Sequence, residues 1–171
     1  MSPTRRLAAV VVFVVMLMVT GCGGGKTMGP TITLAQATER VDRMIRDAFA
    51  QLPAGAQLQA SGPNEPLPCE RSGGVDTGQV FSERKYQIVH PDSWPADQLI
   101  ETLHRYWASL NYPITRDDRD KKDIATLIVK NSHENVEVGV KVCYRSGGTL
   151  DAYLVGDSGC VWENGTPPSG S

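Results

Sequence analysis

Residues 135–144, "NVEVGVKVCY", alternate apolar side chains with others along their whole length. A period of two puts Val136, Val138, Val140 and Val142 on one face of a strand and Glu137, Gly139, Lys141 and Cys143 on the other. On either side, "DIATLIVK" (123–130) and "LDAYLVG" (150–156) also read as strands, joined to it by "NSHE" and "RSGG". Connections this short make antiparallel hairpins, so the three segments form a meander. A sheet with one apolar and one polar face needs cover on one side only.

Upstream lie two segments that can provide that cover. Leu34, Ala37, Val41, Met44, Ile45, Ala48 and Leu52 recur at intervals of three and four among charged residues, which predicts an amphipathic helix. Thr33 and Gln36 have capping-box spacing, and Pro53 with Gly55 ends the run. The second helix follows "HPDSWP", where Asp92 or Ser93 can cap and Pro95 suits the first turn. Its wide apolar face is Leu99, Ile100, Leu103, Tyr106, Trp107 and Leu110, and Asn111 before Tyr112-Pro113 stops it. Residues 83–89 predict one more strand. Residues 53–80 are rich in Pro and Gly around a short strand at 57–60, and read as a long surface connection. The expected fold is α+β: two helices on one face of an antiparallel sheet of about four strands, in the order α-β-α-β-β-β.

The N-terminus carries an address. "MSPTRRLAAVVVFVVMLMVTGC" has a positive start at Arg5 and Arg6, an apolar run from Leu7 to Val19 and a small-residue exit, the three parts of an export signal. The run is short of the ~20 residues that span a bilayer. Arg5-Arg6 also fits twin-arginine export, but Ala8 and Ala9 are weak where that signal wants bulky apolar residues, which favours general secretion. Val19-Thr20-Gly21-Cys22 resembles the lipobox of bacterial lipoproteins. That resemblance implies cleavage before Cys22 and a diacylglyceryl group on its thiol, leaving the chain on the outer face of a membrane. Two acyl chains anchor stably, at ~0.8 kcal/mol per buried methylene. Four segments follow: a cleaved signal peptide (1–21), a lipidated flexible tether (22–32), one domain (33–162) and a disordered tail (163–171). About ten flexible tether residues reach ~15 to 20 Å.

Without residues 1–21, 15 of the 17 Lys and Arg remain against all 19 Asp and Glu, a net charge near −4 on 150 residues. One domain is expected, and the acidic balance argues against nucleic acid and against electrostatic adhesion to anionic lipid. Three cysteines remain beside Cys22. The odd count leaves one thiol over or pairs it between chains. Cys69 and Cys160 lie in turn-rich surroundings that can adjust to a bridge, whereas Cys143 lies inside a strand, so Cys69 with Cys160 is the favoured pair. Closing a loop of ~90 residues stabilises by about 4 to 5 kcal/mol in the chain-entropy account.

Few residues suggest chemistry. His90, His104 and His133 lack metal-ligand spacing. Asp117, Asp118, Asp120 and Asp123 are interleaved with Arg116, Arg119, Lys121 and Lys122, and no glycine gives the turn of a calcium loop, so a self-neutralised surface loop is expected. Ser72 and Ser146 lack a nucleophile elbow. No metal, cofactor or catalytic residue is expected, and the reading is non-enzymatic. Trp94, Tyr106 and Trp107 read as core, or as the lining of a pocket beneath the second helix.

The lipobox, the early amphipathic helix, the "PC" loop at Cys69, the "LNYPI" break and the closing "SGCVW" together resemble the small secreted lipoproteins of actinobacteria, including the mycobacterial LppA-like group. The resemblance implies a disulfide between Cys69 and Cys160, with Cys143 outside it, and a cell-envelope lipoprotein whose activity it does not supply. The expected function is a membrane-anchored interaction module that binds an envelope protein or wall component. The alternative is a carrier holding a small apolar ligand between the helices and the sheet.

Overall fold

The computed structural model describes residues 30–62, 65–71, 75–92, 94–145 and 150–168. The signal segment, Cys22, most of the tether, Ser72, Ser93 and Ser146 lie outside them. The order is α1 (Leu34–Phe49), β1 (Gln57–Ala60), β2 (Pro66–Arg71), β3 (Val75–Val89), a 3-10 turn (Ala96–Gln98) running into α2 (Leu99–Ser109), then β4 (Ile114–Asp117), β5 (Ile124–Asn131), β6 (Val136–Tyr144) and β7 (Leu150–Ser158). Among the described residues no helix is long and apolar enough to cross a membrane.

The class is α+β, and every strand pairing is antiparallel. The sheet has seven strands rather than about four. Its order is β1-β3-β7-β6-β5-β4, with β2 on the first half of β3. After β3 the chain crosses by α2 to the far edge at β4 and returns as a meander, so β7 closes against β3. The helix-strand order is therefore α-β-β-β-α-β-β-β-β: the short strand read at 57–60 joins the sheet as β1, β2 and β4 are added, and β3 begins at Val75 instead of residue 83. Part of the expected surface connection is thus strand.

Thr33 and Gln36 make the capping box: the Gln36 amide donates to Thr33 Oγ1 (3.2 Å) and the Thr33 amide to Gln36 Oε1 (3.1 Å). α1 packs on β7, β3 and β6 with Val41, Ile45 and Ala48 fully buried. Gly156 permits this approach, since a Cβ there would lie 2.7 Å from Val41 Cγ1 and 3.2 Å from Ile45 Cδ1. α2 turns Leu99, Leu103 and Trp107 into the same core, and no side chain caps its start. Leu110, expected on that face, is exposed because the helix ends one residue earlier. The four valines of β6 are all at most 2 % exposed and meet Ala125, Leu127, Val129, Ala152 and Leu154 beneath the helices. Each of these valine and leucine side chains stabilises by roughly 1.5 to 3 kcal/mol on burial. At the seam between α1 and β3, Arg84 donates to both oxygens of Asp42 (2.8 and 3.1 Å) and the Tyr86 hydroxyl donates to the same carboxylate (2.9 Å).

The domain continues past its expected ends. The Thr31 amide donates to Gly165 O (2.8 Å), the Leu34 amide to Glu163 O (3.1 Å) and the Trp162 amide to Thr31 Oγ1 (2.8 Å). Thr31, placed in the tether, and Glu163 to Gly165, placed in the tail, tie the two ends of the domain together.

Candidate functional site

The sheet face away from the helices is open, and strand register decides what it displays. Lys130 of β5 faces Glu137 of β6, Glu137 faces Asp157 of β7, and Asp157 faces Glu83 of β3. Directly opposed side chains in antiparallel strands have Cβ atoms about 4.5 to 5.5 Å apart, so three carboxyl groups stand abreast with an ammonium at one end. Four positions along, Thr126, Lys141, Tyr153 and Gln87 form a second polar row, and Lys85 Nζ lies 4.2 Å over the Tyr153 ring. The row between holds Ile128, Gly139 and Val155; Gly139 has no side chain, and its absent Cβ would lie 2.5 Å from Leu127 O.

Asp157 is the electrostatic centre of this face. Burial, and after it the charge of Glu83, push its carboxyl up to about 6, with Lys141 opposing and Glu137 adding. A cavity of about 270 Å³ lies on its side of the row, bounded by Phe81, Lys130, Glu137, Asp157 and Cys160. A second, of about 380 Å³, lies on the Glu83 side, bounded by Ser61, Glu65, Leu67, Glu83 and Lys85. The Glu83–Asp157 pair divides the two. The result is a groove that offers carboxylate acceptors, ammonium donors, the aromatic rings of Phe81 and Tyr153, and a carboxyl that changes charge just below neutrality.

A disulfide between Cys69 and Cys160 forms the rim, with Cα atoms 6.1 Å apart. Cys69 lies inside β2, at a register break between Pro68 and Glu70, rather than in a turn-rich loop; the break supplies the local freedom a bridge needs. Cys160 follows β7 after Gly159. Cys143 is free and half-buried, on the open face between Ile124 and Asp151.

The structure does not gather the other candidates. His90 stacks on Trp94 with ring centroids 4.9 Å apart, His104 lies 3.8 Å from Glu101, and His133 is in the β5–β6 turn. Asp117 pairs with Arg119, and Asp118 with Arg116 and Lys121, within one surface segment. Among the described residues no three His, Cys, Asp or Glu side chains form a group that could hold a metal. Trp94 and Trp107 are core, and the Trp94 indole donates to Pro53 O (3.1 Å). The gap beneath α2, lined by Met44, Asp47, Tyr106, Trp107 and Tyr112, holds about 20 Å³, against roughly 300 Å³ or more for a typical ligand site.

Sequence reasoning identified the polar face of β6 but not the Glu83–Asp157–Glu137 row. Alternation along β6 and β7 signals that Glu137 and Asp157 share a face; nothing local aligns Glu83 with them.

These features define an α+β domain with an apolar core on one side of its sheet and a charged groove on the other. Compared with known proteins, the chain matches no protein-family model, no curated protein and no solved structure.

Proposed function

We propose that this chain is an extracytoplasmic lipoprotein of the actinobacterial LppA-like kind, held to the cell membrane by a diacylglyceryl group on Cys22. It acts as a non-enzymatic module that binds an envelope protein or wall component through the open sheet face. The observation that carries the binding part is the contrast between the two sides of the sheet. Beneath α2 the gap holds about 20 Å³ and the space at the start of α1 about 200 Å³, while the open side carries a groove with cavities of about 270 and 380 Å³. That contrast favours the interaction module over a carrier of apolar ligands, which would need its space between helices and sheet. The anchor rests on the lipobox and the signal segment that precedes it.

The test is an intact mass, native and then denatured, with and without reduction, on protein extracted from its own membrane. The expected result is a diacyl mass on a chain beginning at Cys22, one disulfide and no passenger. Crosslinking through the open face should then capture a partner that Glu137→Lys reduces. A chain that keeps residues 1–21, or lacks the acyl mass, refutes the anchor. An apolar molecule released on denaturation refutes the interaction module in favour of the carrier.

A further inference from the structure

We infer that a third cavity, where the N-terminal segment enters the domain, is a site for a phosphate-bearing group, held by Arg40, His133 and Asn135. It has a volume of about 200 Å³ and lies between the start of α1, the β5–β6 turn and the chain leaving β7.

Its donors are unspent. Arg43, Arg84, Arg116, Arg119 and Arg145 each meet a carboxylate. Arg40 has no ion pair or hydrogen-bond partner among the described residues, although it lines the cavity from the first half of α1. The one acidic side chain on the wall, Glu134, is already paired with Arg43. The local balance is therefore positive on a chain that is acidic as a whole, so an anion is recognised here by local geometry and not by the overall field.

The polar wall is shaped by backbone choices. Asn135 has φ of 53°, in the left-handed region that Asn tolerates, and its carbonyl accepts the Gly159 amide (2.7 Å). Its side-chain amide lies where a side chain on residue 159 would be, with Nδ2 only 1.7 Å from the position of a Cβ on Gly159. Gly159 thus makes room for an amide that has no hydrogen-bond partner among the described residues. His133, two residues before it, adds an exposed ring. A guanidinium fork from α1 with an imidazole and an amide from the β5–β6 turn suit the tetrahedral oxygens of a phosphate; a planar carboxylate would be satisfied by the arginine alone. Ile32, Ala37 and Val136 leave an apolar wall for the carbon stem of a phosphate ester.

The position suggests the source. Thr31 and Ile32 line the cavity, and Thr31 is nine residues from Cys22. The tether read from the sequence reaches about 15 to 20 Å, so a lipid head group lies within range if Cys22 is acylated. The site chemistry stands without that reading; only a head group as the source rests on it.

The test uses the full chain purified in neutral detergent and titrated with sn-glycerol 3-phosphate, followed by NMR at the His133 ring and the Asn135 side-chain amide. Both signals should move and saturate. Arg40→Gln should weaken binding about tenfold or more, the loss expected for one charged hydrogen bond, with the Leu154 amide signal unchanged as the check on folding. Glu134→Gln should tighten binding severalfold. In phosphatidylglycerol nanodiscs, shifts present before any soluble phosphate is added identify the head group as the ligand. Shifts that appear only on adding glycerol phosphate identify a free ester, and both results support the site. No shift in either medium, or a shift that Arg40→Gln leaves intact, overturns it. Titration by a chain that carries no acyl mass keeps the site and removes the anchor.

Discussion

The two ends of β3 are held in different ways. Its second half, residues 83–88, lies between β1 and β7 under α1 and belongs to a sheet whose apolar face is sealed by two helices. Its first half pairs with β2 and meets the rest of the molecule at the disulfide, at the Val80–Val161 bridge with its two 2.9 Å hydrogen bonds, and at Trp162, which packs on Gly78. Among the described residues the buried side chains here are few: Cys69, Gln79, Ser82, Val161 and Trp162. Where helices cover the sheet, burial alone supplies the stability. Where the strand runs past them, a covalent link replaces the missing core, as small disulfide-rich domains do throughout.

That contrast is broken most severely at the link. Cys69→Ser with Cys160→Ser opens a loop set by a sequence separation of 91. The expected loss is about 4 kcal/mol in urea unfolding. The amides of Val80, Phe81 and Val161 should lose hydrogen-exchange protection before those of Val138 and Val140. Simultaneous loss would show that arm and helix-backed sheet are one cooperative unit. The converse substitution, Leu127→Ala in the fully buried centre of β5, should cost about 3 kcal/mol. It should lower the protection of β5 to β7 while leaving the disulfide oxidised, as counted by thiol labelling. An effect below about 1 kcal/mol would mean that the core is loosely packed there.

The same contrast explains what could be read from the sequence. β5, β6 and β7 are long, alternate cleanly and are joined by short turns, and α1 carries both its cap and its stop, so each element is specified by its own residues. β4 is four exposed residues, Ile114 to Asp117, the last two of them charged. β2 contains Pro66 and Pro68, which lack the amide hydrogen a central strand needs and are tolerated because β2 pairs on one side only. The first half of β3 is obscured by Gly73, Gly74 and Gly78. β2 and the first half of β3 exist because they pair with each other and the disulfide holds them, and β4 because β5 templates it; none of these causes is local. The charged row of the groove follows the same logic. Glu137 is legible as a polar-face residue, but its place beside Asp157 and Glu83 is a matter of register between distant strands.

The mildest test perturbs that row. Asp157 has a folded-state carboxyl raised to about 6 from an ordinary value of 3.8, so between these two pH values the folded protein binds more protons than the unfolded chain. Stability then falls as pH rises from about 4 to 6, and the full cost of the ionised carboxylate remains at pH 7. Asp157→Asn removes that charge. It should raise the melting temperature at pH 7, with a gain that shrinks as the pH is lowered and vanishes near pH 4. The gain should be smaller than either loss above, because the carboxyl keeps part of its water and the Lys141 charge already offsets part of the repulsion. A gain independent of pH would assign the effect to packing instead of charge. A loss at pH 7 would mean that the ionised carboxylate is held by its lysine neighbours more strongly than Glu83 and burial oppose it. The groove would then be a stabilising charge network, whereas a pH-dependent gain identifies a charge that the fold retains at a cost to its own stability, which is the expected signature of a surface kept for binding.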